Sequence, residues 1–227
     1  MDNKPKELTF YEVASKYKGQ IENGKMHGKG TLKYTNGNVY TGYFKNGKKH
    51  GKGTEETDKY IFTVIFKNDV AEGKGIKKYK DGDILKGTWA NGLINGKGKH
   101  YYHDGSIYVG DFKNGFKNGN GILKTYRTDY ISFKLKLKKN KYIYTGKFVD
   151  GYITKGTMKS SNGNMYKGDF LKNMIDGYGT MKYKNGNIYT GEWKNNYKNG
   201  KGTMKFKDGS VYNGTWVRDK IGKSFSY

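Results

Sequence analysis

Tyr189-Thr190-Gly191-Glu192-Trp193-Lys194-Asn195, then Gly200-Lys201-Gly202-Thr203-Met204-Lys205-Phe206, then Asp208-Gly209-Ser210-Val211, is the unit from which the chain is built. The next unit opens at Tyr212-Asn213-Gly214-Thr215-Trp216. Aligned openings fall at Tyr17, Tyr40, Phe62, Leu85, Tyr108, Tyr144, Tyr166, Tyr189 and Tyr212, spaced by 22 or 23 residues almost throughout. Self-similarity at a fixed period marks a repeat array. An array of one unit makes an extended surface far more readily than an enzyme pocket.

Each unit reads as a β-hairpin. Tyr40, Gly42 and Phe44 alternate with Thr41, Tyr43 and Lys45, a period of two that gives a strand two distinct faces. Gly28, Gly30, Leu32 and Tyr34 alternate with Lys29, Thr31 and Lys33 in the same way. Turns are signalled at Asn46-Gly47, Asn36-Gly37, Asn162-Gly163 and Asn185-Gly186, and by Asp-Gly at Asp81-Gly82, Asp104-Gly105 and Asp208-Gly209. One face then carries rings and glycines, and the other Lys, Thr, Asp and Glu. Strand glycine is entropically unfavourable, so its recurrence opposite large rings predicts rings lying flat over neighbouring backbone. The fold class expected is all-β: an elongated, twisted, single-layer antiparallel sheet of tandem β-hairpin repeats, about nineteen strands and roughly 80 to 90 Å long.

The copies are not uniform. The Phe62 copy has Val64 where glycine is usual and Asp69 in the place of the turn glycine. The Tyr144 copy is one residue short before Gly156 and lacks the earlier glycine of the pair. Degenerate copies at an end read as caps; those in the middle read as places where the array bends or is contacted. Residues 1–16 are assigned to an N-terminal tail or a short capping helix, since Thr9-Phe10-Tyr11-Glu12 matches a capping box. Residues 17–227 form the array of about nine units. An irregular segment, 126–143, holds a half-copy from Phe133, read as a compressed hairpin.

Composition bounds the function. The chain has 227 residues, 35 glycines, one proline and no cysteine. Mean hydropathy of −0.97 and a net charge of +24 lean toward disorder, but an aromatic content of 16% argues for a packed structure. Absence of cysteine suits an intracellular, reducing compartment. No apolar stretch is long enough for a membrane-spanning helix, and the start resembles neither a signal nor a transit peptide. Of 44 basic residues only Arg127 and Arg218 are arginine. Evolved phosphate sites favour arginine, so nucleic acid is an unlikely partner. The lysines read either as a solvated surface or as an attraction to acidic partners.

The pattern Tyr-x-Gly-x-(Trp/Phe)-x-x-Gly followed by Gly-x-Gly resembles the membrane occupation and recognition nexus (MORN) repeat, over about residues 17 to 227. Its best copies are Tyr40-Thr41-Gly42-Tyr43-Phe44 with Gly51-Lys52-Gly53, Tyr108-Val109-Gly110-Asp111-Phe112 with Gly119-Asn120-Gly121, and the Tyr189 copy. The resemblance implies an aromatic-lined groove on a single-layer sheet. It also implies scaffolding, end-to-end dimerisation, binding of partner helices or peptides, or binding of phosphoinositides, in settings such as cilia and the cortical cytoskeleton. Some relatives also carry a catalytic domain; this chain leaves no residues for one.

Two surfaces are candidates. The partner-binding groove comprises Tyr40, Phe44, Trp89, Tyr108, Phe112, Tyr166, Phe170, Tyr189, Trp193, Tyr212 and Trp216. Each ring taken singly reads first as core; the functional reading concerns the groove as a whole, since a one-layer sheet should leave some ring surface accessible, and an amphipathic helix or peptide is its natural ligand. The basic face comprises Lys29, Lys52, Lys74, Lys97 and Lys201 between paired glycines, with Lys33, Lys78, Lys124, Lys159, Lys182 and Lys205 further along. It is either solvated edge protection or a dock for anionic lipid or another acidic surface. Catalytic signals are weak. His27 and His50 share a repeat position, His100 and His103 lack a visible acid cluster, and Gly-Lys-Gly lacks the strand-to-helix setting of a phosphate loop. Asp111, Asp169 and Glu192 share one repeat position and are no catalytic pair. No metal or cofactor is expected. The chain is expected to be a non-enzymatic scaffold that binds a protein segment, and itself through terminal strands, in a cytoplasmic assembly such as the cytoskeleton or a cilium. The alternative is a peripheral adaptor docked on anionic phospholipid.

Overall fold

The computed structural model describes residues 6–10, 15–129 and 138–224, with side chains for 16–126 and 140–222. The described residues contain no helix; they form an open antiparallel array of hairpins in which strands pair in chain order. The chain divides into two units, 1–103 with 112–115 and 104–111 with 116–227. The first holds β1 (Lys6–Phe10), β2 (Ser15–Glu22), β3 (Lys25–Lys33), β4 (Val39–Lys45), β5 (Lys48–Glu56), β6 (Tyr60–Lys67), β7 (Val70–Tyr79), β8 (Ile84–Ala90) and β9 (Leu93–Tyr101). Strand β10 (Ile107–Lys113) contributes residues to both. The second holds β11 (Phe116–Asp129), β12 (Lys138–Val149), β13 (Tyr152–Ser160), β14 (Met165–Leu171), β15 (Met174–Lys182), β16 (Ile188–Lys194), β17 (Tyr197–Lys205), β18 (Val211–Val217) and β19 (Lys220–Ser224).

Two turn types alternate. Asn46-Gly47 joins β4 to β5 with both central residues at positive φ (51° and 82°), the backbone that matches the twist of a two-residue hairpin. Asn195-Asn196 and Arg218-Asp219 adopt the same form without glycine. At Asn36-Gly37 only Gly37 is left-handed. There the Gly37 N–H donates to Tyr34 O (3.0 Å), and the Asn38 N–H donates to Asn36 Oδ1 (3.0 Å). Both sites obey the same residue preference, because asparagine tolerates left-handed backbone and caps its own turn.

The glycine pair has a divided role. Gly42 pairs with Gly53 and Phe44 with Lys49, so Tyr43 faces the three residues His50 to Lys52. The first glycine of the pair, Gly51, takes φ 68° inside this bulge, and the second, Gly53, lies under the ring of Tyr40. The same arrangement recurs with Gly177, at φ 104° in the bulge, and with Gly179, which lies beneath Tyr166. In the Tyr144 copy the register shift lies between Lys147 and Phe148 and is one residue smaller, as its shortened sequence demands.

One expectation changes, and another falls largely outside the described residues. Thr9 and Phe10 lie in β1, paired with Lys16 and Ser15, so no helix runs from Phe10 to Lys16; residues 11–14 lie outside the described set. Pairing along β1 and β2 outweighs the local preference of a four-residue capping motif. The half-copy from Phe133 falls largely on residues 130–137, also outside the described set. Its flanks pair with each other from Tyr126↔Lys141 to Asp129↔Lys138, extending the β11–β12 hairpin.

A Cβ added at Gly202 would sit 2.3 Å from the Tyr189 hydroxyl and 2.5 Å from its Cζ. Gly202→Ala is therefore expected to lower stability by about 2 kcal/mol or more through overpacking. Gly209→Ala, at φ 90° with no atom within 4 Å of the new Cβ, should lose only about 1 kcal/mol from backbone strain. Urea denaturation of the two variants checks the order.

Candidate functional site

The inner face is the one that carries the rings. In the first unit Tyr40 meets Phe44 at 5.0 Å and Phe66 at 5.3 Å between centroids, both edge-on. In the second, Tyr166 meets Phe170 (5.1 Å) and Trp193 (5.6 Å), and Tyr189 meets Trp193 (5.1 Å) and Trp216 (5.3 Å). Each tyrosine thus bridges the large ring of its own copy and that of the next. Such pairs contribute roughly 0.5–1.5 kcal/mol each beyond the area they bury.

All of the expected groove residues except Tyr212, which is half-buried, are buried: Tyr40, Tyr108, Tyr166 and Tyr189 are 0% exposed, and Phe44, Trp89, Phe112, Phe170, Trp193 and Trp216 at most 5%. They form the floor of the inner face. Their hydroxyls are directed into the backbone, not toward water: Tyr40 donates to Tyr43 O (3.0 Å), Tyr166 to Asp169 O (3.0 Å) and Tyr189 to Glu192 O (2.9 Å). Burial pushes all three phenols well above their ordinary pKa, keeping them neutral donors. The indoles of Trp193 and Trp216 donate to Gly179 O and Gly202 O, each at 3.2 Å.

Above this floor runs a second row, which alternation places on the same face but which was not among the expected groove residues. Leu32, Met158, Met181 and Met204 occupy one position of it and are 5–8% exposed. Two residues on, Tyr34, Tyr79, Tyr183 and Phe206 are half-buried and form an accessible rim. In three consecutive copies of the first unit, Glu55, Lys77 and His100 replace the Leu or Met, and all are half-buried. Here the face is polar. Lys49 Nζ lies 2.6 Å from Glu55 Oε1, and the Tyr60 hydroxyl donates to Glu55 Oε2 at 3.0 Å. Lys77 Nζ sits over the Tyr60 ring, 3.6 Å from its centroid. Asp83 binds both histidines, His100 Nε2 at 2.9 Å and His103 Nδ1 at 3.0 Å. His100 also stacks on Tyr102 at 3.9 Å. Asp83 is the acid that the sequence did not place beside these histidines. Even so, no group of His, Cys, Asp and Glu suited to a metal occurs among the described residues.

Lysine also enters the inner face in the second unit. Lys198 Nζ lies 4.5 Å from the Trp216 centroid and 5.8 Å from those of Tyr183 and Tyr189. Burial holds its pKa below the usual value, against the pull of Asp219. The signal was present: Lys49, Lys117 and Lys198 stand where other copies have Met26, Ile94, Ile153 and Ile175.

The expected basic face lies outward. Lys29, Lys33, Lys52, Lys74, Lys78, Lys97, Lys124, Lys159, Lys182, Lys201 and Lys205 are all exposed. Cross-strand neighbours are aliphatic: Lys33 pairs with Val39, Lys78 with Ile84, Lys159 with Met165, Lys182 with Ile188 and Lys205 with Val211. The stems can lie along this apolar surface with their ammonium groups in water. The acids at the shared repeat position serve the bulge: Asp169 Oδ2 accepts the Tyr178 N–H (3.2 Å) and Glu192 Oε1 the Lys201 N–H (3.0 Å).

The MORN repeat family model matches residues 17–39, 40–57, 65–84, 86–107, 108–125, 166–188 and 189–211. The copies opening at Tyr144 and Tyr212 fall outside these matches, although both fold as hairpins of the same kind. No curated protein matches the chain significantly. One solved structure, the TCP domain of Drosophila melanogaster SAS-4 in complex with a proline-rich motif of Ana2, is similar at 10% identity and a TM-score of 0.30, covering 93% of this chain and 90% of that one. A score that low bears on neither fold nor function.

For Glu55, burial works to raise the pKa, but the Lys49 hydrogen bond and charge outweigh it and hold the carboxyl below its usual range. A lowered carboxyl stabilises the fold above its unfolded pKa and loses that contribution as pH falls through the folded value. Glu55→Gln should therefore lose about 2 kcal/mol at neutral pH. The deficit should shrink on acidification below the usual carboxylate range, read as urea midpoints across pH. A deficit independent of pH would refute the ion pair's contribution.

Proposed function

Because the chain belongs to the MORN-repeat family, we propose that it is a non-enzymatic scaffold. Its inner face holds a segment of a partner protein, an amphipathic helix or extended peptide, within a larger cytoplasmic assembly of cytoskeletal or ciliary type. The observation that supports this reading most is the half-buried rim of Tyr34 and Tyr79 in the first unit, and of Tyr183 and Phe206 in the second. These rings rest on a rigid floor and keep apolar area exposed, the combination that partner segments use. Among the described residues, no polar group of the inner face is arranged as a nucleophile with a base.

Photo-crosslinking tests the face. With benzoylphenylalanine in place of Tyr79 or Tyr183, a polypeptide from the chain's own cells should be captured. The same group in place of Lys78 or Lys182, on the outer face, should not capture it. Capture from the outer positions alone, or from none, overturns the reading.

The second reading is a peripheral adaptor on anionic phospholipid, favoured by the outward exposure of every lysine of the basic face. At about 1 kcal/mol per lysine near an anionic surface, several engaged together would hold the chain there. Flotation with phosphatidylserine vesicles should then occur at low salt, fade at moderate salt, and be abolished by the combined change Lys159→Glu, Lys182→Glu and Lys205→Glu. No flotation at low salt removes this reading.

A further inference from the structure

The second row of the inner face is closed at Leu32 and, in the second unit, at Met158, Met181 and Met204; it opens at Glu55, Lys77 and His100 in the first unit and at Leu123 in the second. Met158, Met181 and Met204 are 5–8% exposed, and Leu32 is 7%. Glu55, Lys77 and His100 are half-buried, and they follow one another on consecutive hairpins of the first unit. Neighbouring hairpins are about 10 Å apart, two strand spacings. A segment lying across this part of the face meets these three side chains in turn.

Their charges are not equally satisfied. Glu55 is held by Lys49 at 2.6 Å and by the Tyr60 hydroxyl at 3.0 Å. Asp83 is held by His100, by the His103 ring and by the His103 N–H at 2.9 Å. Lys77 has no carboxylate within ion-pairing distance among the described residues. Its ammonium rests on the Tyr60 ring at 3.6 Å, with the Phe62 and Tyr79 rings at 5.3 and 5.4 Å. A half-buried cation on aromatic faces has lost part of its water and has gained only ring quadrupoles in return. Burial accordingly lowers its pKa, with Glu55 acting in the opposite sense. An incoming carboxylate would meet a cation that is partly dehydrated already and fixed in position, which makes a charge-assisted hydrogen bond strong.

We propose that Lys77 is an anchor for a carboxylate side chain of the partner segment, so that the first unit selects an apolar segment bearing an aspartate or glutamate at this point. The proposal rests on the inner face being the partner surface. It adds a reason for the altered copies at Phe62 and Leu85: there the row exchanges packing for recognition.

A random dodecapeptide library displayed on phage, selected on the intact chain, is the probe. Wild-type protein should enrich apolar peptides with a shared acidic position. Replacing that acid by its amide in the synthetic peptide should weaken binding about tenfold, as should Lys77→Met in the protein, with no further loss when both changes are combined. Lys77→Met inserts the residue that Met158, Met181 and Met204 supply at the same repeat position, and circular dichroism confirms its fold. The peptide change needs no protein variant at all. Enriched peptides without a shared acid, or an acid equally required by Lys77→Met, overturn the anchor and leave the partner surface standing. Failure to enrich any inner-face peptide overturns both.

Discussion

A tyrosine ring lying flat on two glycines is the contact on which the rest of the structure depends. A Cβ at Gly30 or Gly53 would stand 2.2–2.5 Å from the Tyr17 or Tyr40 ring, so no other residue fits beneath it. That closeness lets the phenol reach the backbone carbonyl three residues on. With its hydroxyl satisfied internally, the ring is buried completely in a layer that has no second layer to cover it. The large ring of the next copy then closes over it edge-on. A sheet with one wet face and one dry face is obtained from a single thickness of chain, which ordinary β architecture reaches only by stacking two sheets.

Where tyrosine is lost the consequences spread. Phe62 and Leu85 have no hydroxyl to bond the backbone, and Val64 replaces the glycine of the Phe62 copy. Trp89 packs on Phe62 at 4.4 Å and a tilt of 54°, not edge-on, and its buried indole N–H has no hydrogen-bond partner. The same two copies admit Lys77 and His100 to the inner face, beside Glu55 of the Tyr40 copy before them. Packing regularity and surface chemistry therefore change together, in the first unit, over consecutive hairpins.

Much of this was legible in the sequence, and the reason is periodicity. Repetition multiplies a weak signal: Asn36-Gly37 alone is a modest turn indication, but its recurrence at the same phase fixes strand ends and faces. The flattening of tyrosine over glycine followed from residue sizes. The outward placement of Lys33 or Lys182 followed from alternation. What escaped was whatever depends on register across strands. Glu55 meets Lys49 only because the bulge offsets the β5 strand within its hairpin, and Asp83 meets His100 across the β8–β9 pair. The burial of Trp193 and Trp216 likewise depends on neighbouring copies closing over each other. The short capping motif at Thr9 misled because a local preference worth about 1 kcal/mol yields to a full strand pairing.

Pairing only between neighbours in the chain has a consequence for inheritance. Among the described residues of each unit, strands pair with the strand before and the strand after and with none more distant. Stability is then close to a sum of local terms. Whole hairpins can be gained or lost by unequal recombination without redesign of the remainder, provided each junction preserves the tyrosine and its bare backbone. A lineage can lengthen such a molecule copy by copy, while one altered copy acquires a new chemical character and its neighbours remain as they were.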